Sequence, residues 1–117
     1  MVQKNFYALD ETTFSPELKT SDMKTGIELI AIERQEQIEK HFRTIAEDVR
    51  ENRTGQLVVG AIALSRSERI GFWDEMPMTW NEKLCKKMAK KPYKERLIIA
   101  GALIAAEIDR LNWYDVE

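Results

Sequence analysis

The sequence predicts an all-α fold, a four-helix bundle-like domain with a short N-terminal arm. Two observations carry the prediction. Apolar residues recur every three to four positions through long stretches, and helix start and stop signals stand at the ends of those stretches. Only three prolines and five glycines punctuate the 117 residues, and most fall near the junctions that this pattern marks.

Residues 1–24 read as the arm, with one helical turn, and residues 25–117 as the helical domain. In the arm, Ser15-Pro16-Glu17 supplies an N-cap hydroxyl, a proline at the first helical position and an acid in the first turn. Thr25-Gly26-Ile27-Glu28 has the spacing of a capping box. Beyond it Ile27, Ala31, Ile38, Phe42 and Ile45 recur at helical spacing, so one long helix is expected from about Thr25 to about Arg50. Asn52-Arg53-Thr54-Gly55 stops it, since Asn and Gly tolerate the left-handed conformation. The apolar LVVGAIAL within residues 56–67 suits a strand or a buried helix, and its helical neighbours favour helix. An irregular stretch follows from Glu68 to Met78. Thr79-Trp80-Asn81-Glu82 then resembles a second capping box, opening a short helix with Leu84, Cys85 and Met88. Lys91-Pro92 breaks that helix and starts the last, from about Pro92 to Trp113. There Leu97, Gly101, Ile104, Ile108 and Leu111 form one stripe, widened by Ile98, Ala102 and Ala105, which should face the core.

A formal net charge of -2 excludes a globally basic nucleic-acid binder. The single cysteine, Cys85, forms no internal disulfide, and residues 1–14 have no apolar core of signal-peptide length. Together they lead to the expectation of a reducing cytoplasm, the host's if the chain is phage-encoded. The longest apolar run, Leu97 to Ala106, falls short of the ~20 residues that span a membrane. One Cys and one His also argue against a zinc site of the usual kind.

Three groups of residues have chemical potential. The first helix carries Glu28, Glu33, Glu36, Glu39, Glu47, Asp48 and Glu51, and acids three apart share a face. Glu33 and Glu36, met by Glu107 from the last helix, would suit Mg²⁺ and a nucleotide's phosphates. The plain alternative is a solvated face paired with Arg34, Lys40 and Arg43, with Glu107 paired to Arg110 or to an arginine of the first helix. The second group is basic: Lys83, Lys86, Lys87, Lys90, Lys91, Lys94 and Arg96 lie within fourteen residues, attractive to phosphate or simply solvated. The third is aromatic: Phe72, Trp73, Trp80 and Tyr93 flank the basic group and suit purine stacking or a lid over the core. His41 is the lone histidine and lacks an evident nucleophile to serve.

Two stretches resemble a small family of phage and prophage helical proteins. Glu33-Arg34-Gln35-Glu36-Gln37-Ile38, then Glu47-Asp48, then Gly55-Gln56-Leu57, is similar to the family's ERQ-x-QI, GW-x-x-EHD and G-[EQ]-L. The run from Ala100 to Leu111, AGALIAAEIDRL, with Lys91-Pro92 and Arg96-Leu97 before it, resembles the family's terminal helix. The likeness covers about residues 27–112. It departs where the Gly-Trp and the histidine of EHD would stand, for here the chain reads His41-Phe42 and Ala46-Glu47-Asp48. The matching polar positions are Arg34, Gln35, Gln37, Glu47, Asp48, Arg96 and Glu107. More distantly, Glu33-x-x-Glu36 resembles half of the E-E-x-x-E motif of MazG-type all-α nucleotide pyrophosphohydrolases, which bind Mg²⁺. Arg110 stands three residues after Glu107, where those enzymes carry an acid.

The expected function is non-catalytic binding of a nucleotide-type small molecule by a phage-type accessory protein. A cyclic-nucleotide immune signal is one such ligand, and holding it would make the protein an anti-defence sponge. The expected ligand residues are Arg34, Gln35, Gln37, His41, Glu47, Asp48, Trp73, Trp80, Lys91, Tyr93, Lys94 and Arg96. No cofactor is needed, and a homo-oligomer with the site between subunits is expected, since so small a domain has little room for an internal pocket. The first alternative is a Mg²⁺-dependent nucleoside triphosphate pyrophosphohydrolase using Glu33, Glu36 and Glu107. The second is a protein-interaction module.

Overall fold

The computed structural model describes residues 23–67 and 73–115, and every regular element among them is helical. Five α-helices follow in order: α1 (Gly26–His41), α2 (Ile45–Glu51), α3 (Gln56–Leu64), α4 (Glu82–Ala89) and α5 (Tyr93–Asp115). A 3₁₀ turn at Trp73–Glu75 lies between α3 and α4. The chain is all-α, as its periodicity predicts. The expected turn at Ser15-Pro16-Glu17 lies outside the described residues. No helix among them is long and apolar enough to cross a membrane.

The caps follow the sequence closely. The Thr25 Oγ1 accepts from the Glu28 N–H at 3.2 Å, and Glu28 Oε1 accepts from the Thr25 N–H at 2.7 Å, so the capping box forms in full. Gly55, at φ 92°, makes the left-handed turn into α3. For α4 the cap is Asn81 rather than Thr79: its Oδ1 accepts from the Leu84 N–H at 2.9 Å.

The long first helix is instead two helices. Phe42 adopts the left-handed conformation (φ 56°), and the Arg43 N–H turns back to the Gln37 carbonyl at 2.9 Å, closing α1 in a Schellman-like cap. The Thr44 hydroxyl then accepts from the Glu47 N–H and starts α2. Helical spacing had joined Phe42 and Ile45 to α1, but Phe42 is exposed and stabilises no continuation. The break redirects the chain and carries Asp48 into the interior.

Helix α5 is the hub: α1, α2 and α3 all pack against it, while α3 and α4 contact the 3₁₀ turn. The core holds Leu57, Ala61 and Leu64 of α3, Met76 just after the 3₁₀ turn, Cys85 and Met88 of α4, and Ile99, Ala100, Leu103 and Ala106 of α5. The bulky stripe of α5 expected to be buried is therefore largely outward, while Ala102 beside it is buried as expected. Leu97, Ile104, Ile108 and Leu111 are 39%, 47%, 54% and 49% exposed. The alanine-bearing face goes inward because small side chains let α3 come close, which recovers more contact than a bulkier seam would. Gly101 of the stripe is covered: a Cβ there would lie 2.5 Å from Ile30 Cδ1.

One end of this core is tied by Arg96, which is wholly buried. Its Nε donates to the Lys91 carbonyl at 3.0 Å, and its Nη1 to those of Leu64 (3.0 Å) and Arg66 (2.7 Å). Those carbonyls close α3 and α4, so one guanidinium fastens two helix ends to the hub.

Candidate functional site: two adjoining clefts beside the end of α1

The break between α1 and α2 leaves two clefts side by side. The first, about 400 Å³, lies between α1, α4 and the start of α5. Leu29, Ile32, Met88, Ile98 and Ile99 give it apolar walls. Glu33, Glu36 and Gln37 line it from α1, and Lys87, Lys91 and Glu95 from α4 and α5. The second, about 330 Å³, is lined by Glu47, Asp48, Glu51 and Asn52 of the α2 region and by Thr79, Trp80 and Asn81 before α4. His41, Arg43 and Leu84 line both.

A polar network stiffens the wall behind them. Trp80 Nε1 donates to Asn52 Oδ1 at 2.8 Å, and Asn52 Nδ2 donates to Asp48 Oδ1 at 2.8 Å. The Trp80 ring lies against α3 at Gly60, where a Cβ would come within 2.6 Å of its Cη2 and Cζ3. The Arg43 guanidinium sits 4.8 Å from the Trp80 ring centre. Arg34 donates through Nη1 to the Arg43 carbonyl and through Nη2 to Asp109 Oδ2, each at 3.2 Å.

Three buried side-chain atoms in this region have no hydrogen-bond partner among the described residues: Arg34 Nε, Gln37 Oε1 and Asp48 Oδ2. Leaving such atoms unpaired costs about 1–3 kcal/mol each, so their gathering at one end of the molecule calls for a reason. Electrostatics agree. Burial pushes the Asp48 carboxyl up, against the Asn52 hydrogen bond and the charges of Arg34 and Arg43. It pushes Glu33 up too, opposed by its bond from Gln37. It pulls Arg43 down, with Asp48 acting in the other direction.

The expected site residues divide between this region and elsewhere. Glu33, Glu36, Gln37, His41 and Lys91 come together in the first cleft, and His41, Glu47, Asp48 and Trp80 in the second. Arg34 stands behind them in the network. Gln35 is exposed and bonds to Glu39. Trp73 lies under Lys86, 4.5 Å from the ring centre, Tyr93 stacks on Arg96, and Lys94 is exposed. Arg96 holds helix ends. None of these lines either cleft.

Glu107 receives both Nε and Nη2 of Arg110 at 2.8 Å, and Arg34 of the first helix takes Asp109 instead. Glu107 thus lines neither cleft and does not join Glu33 and Glu36. Among the described residues no three His, Cys, Asp or Glu side chains are grouped to hold a metal. Sequence reasoning missed Arg43, Asn52 and Glu95 as cleft residues. The first two depend on the break after His41, which no glycine or proline announces.

No protein-family model matches the sequence, and neither a curated protein nor a solved structure is significantly similar to it.

Proposed function

We propose that this protein binds a nucleotide-type small molecule in the first cleft and holds it without turnover. One observation carries the reading: the cleft sets acceptors on one wall against cations on the other, across apolar side chains. Glu33, Glu36 and Gln37 line it from α1, Lys87 and Lys91 from the α4 side with Glu95 of α5 3.8 Å from Lys91, and Leu29, Ile32 and Met88 lie among them. A nucleotide has the same order, with a flat base whose edge carries donors at one end and anionic phosphate at the other. The volume falls within the roughly 300–1,000 Å³ of small-molecule sites.

Retention rather than hydrolysis is supported by the pairing of Glu107 with Arg110, which keeps the third expected carboxylate away from Glu33 and Glu36. A protein that binds and does not convert its ligand lowers the ligand's free concentration. For a phage-type accessory protein that activity amounts to sequestering a signal nucleotide.

Incubation with Mg²⁺ and a panel of nucleoside mono- and triphosphates and cyclic oligonucleotides tests this, with melting temperature and recovered nucleotide read on the same samples. A raised melting temperature with the nucleotide recovered intact is expected, and K87E/K91E should abolish the shift. Release of monophosphate and pyrophosphate, lost on adding EDTA, would replace this reading with the pyrophosphohydrolase one.

A second activity follows from the outward stripe of α5. Leu97, Ile104, Ile108 and Leu111 are exposed, and the last three keep the four- and three-residue spacing along which two helices pair, beyond the point where Ile30 covers Gly101. The occupant assigned to it is a second copy of this chain, because one such seam is self-complementary about a two-fold axis. Sedimentation should give a dimer or higher form that I104E reduces to monomer. A wild-type monomer at high concentration would refute this.

A further inference from the structure

Arg43 stands where the two clefts meet and lines both of them. Arg34, Arg50, Arg96 and Arg110 each hold a carboxylate or a main-chain carbonyl. The Arg43 guanidinium has no hydrogen-bond or ion-pair partner among the described residues, only the Trp80 ring 4.8 Å away. None of its three nitrogens is among the sealed unpartnered atoms, so its donors stay open to solvent. A guanidinium is a planar fork of donors that grips a phosphate through two hydrogen bonds at once. Burial disfavours its charged form, and an anion alongside would favour it.

Resting on the nucleotide reading above, we propose that Arg43 takes a bridging phosphodiester with one nucleoside in each cleft, so that the ligand is a dinucleotide. Two features select a diester over a terminal phosphate. A diester carries an ester arm on each side of its phosphorus, and two clefts lead away from Arg43. A diester is also a monoanion, matched by one guanidinium. A terminal phosphate is close to a dianion at neutral pH, and acids border both clefts: Glu33 and Glu36 the first, Glu47 and Glu51 the second. The clefts, at about 400 and 330 Å³, lie near the lower bound of small-molecule sites, with room for one nucleoside each. The first offers a base the apolar walls described above. The second offers an aromatic one in Phe42, which is 76% exposed and lines that cleft alone.

Calorimetric titration of the full chain with the dinucleoside monophosphate ApG, and with AMP and GMP, at neutral pH tests the assignment. ApG should bind at least about tenfold tighter than either mononucleotide, because a second base finds a wall. R43Q removes the charge and the fork, and should weaken ApG at least about tenfold while circular dichroism stays helical. F42G suits the left-handed backbone at that position (φ 56°). It should weaken ApG about fivefold and leave GMP unchanged, a split that a damaged fold would not give. If R43Q fails to fold, the wild-type order and F42G still decide. A mononucleotide as tight as ApG, or ApG undiminished in folded R43Q or in F42G, would overturn the dinucleotide assignment and leave nucleotide binding standing. Silence of all three, with the other nucleotides of the panel also silent, would overturn both.

Discussion

Arg96 and Arg34 are both guanidinium groups withdrawn from water, and the molecule treats them differently. Arg96 donates to three main-chain carbonyls that end two helices, so its burial is matched by bonds to the scaffold. Arg34 bonds to one carbonyl and to Asp109, and its Nε, like Gln37 Oε1 and Asp48 Oδ2, has no partner among the described residues. The end around Arg96 is built to hold the fold. The end around Arg34 keeps hydrogen-bonding capacity that the fold does not use, and the clefts open there.

The largest effect that tests this contrast is R96M. It removes the donors from the carbonyls of Leu64, Arg66 and Lys91, and buried carbonyls left unpaired cost about 1–3 kcal/mol each, so a loss of about 3–5 kcal/mol is expected in urea unfolding. A loss below about 1 kcal/mol would show that the helix ends do not depend on it. Next is G60A. A Cβ there meets the rigid Trp80 ring at 2.6 Å, and overpacking of this kind costs about 1–3 kcal/mol. It should also pull Trp80 from Asn52 and from Arg43, which tryptophan fluorescence would report. G101A is the milder case: its Cβ would meet Ile30 Cδ1 at 2.5 Å and Cγ1 at 2.8 Å, atoms of an aliphatic side chain that turns aside more readily than a ring, and alanine suits a helix better than glycine. Its fall in melting temperature should be smaller than that of G60A.

Acidic groups sharpen the comparison with a smaller effect. Burial raises the Asp48 carboxyl, so the folded state holds its proton more tightly than the unfolded chain. Its ionised form thus costs stability at neutral pH, and the cost is relieved as pH falls through the raised value. D48N should therefore raise the melting temperature at neutral pH, by a margin that shrinks on acidification. A margin that grew on acidification would reverse the sign of this account of Asp48. The smallest effect belongs to Q35A, which loses only an exposed bond to Glu39 and should leave both stability and nucleotide binding unchanged.

The helices and their caps are legible in the sequence because they are local: Thr25 with Glu28, Gly55 and Pro92 each act on neighbours a few residues away. Two features are not. Periodicity marks two apolar faces on α5 and does not say which goes inward, and close approach by Ala100, Ala102 and Ala106 decides it. The stop at Phe42 is hidden because a phenylalanine takes the left-handed conformation that glycine or asparagine usually signals. The site divides in the same way. Glu33, Glu36, Gln37 and His41 share the cleft because helical spacing alone puts them on neighbouring faces of α1. Arg43, Asn52 and the burial of Asp48 follow from the break, so only the folded chain displays them.

The central claim is that ligand enters between α1 and α4, and it is tested most directly by following backbone amide resonances of the full chain while GMP is added. The expected result is shifts concentrated at residues 33–43 and 87–95, saturating together. No shifts, or shifts running along α5 from Leu97 to Leu111 with the cleft unchanged, would contradict it.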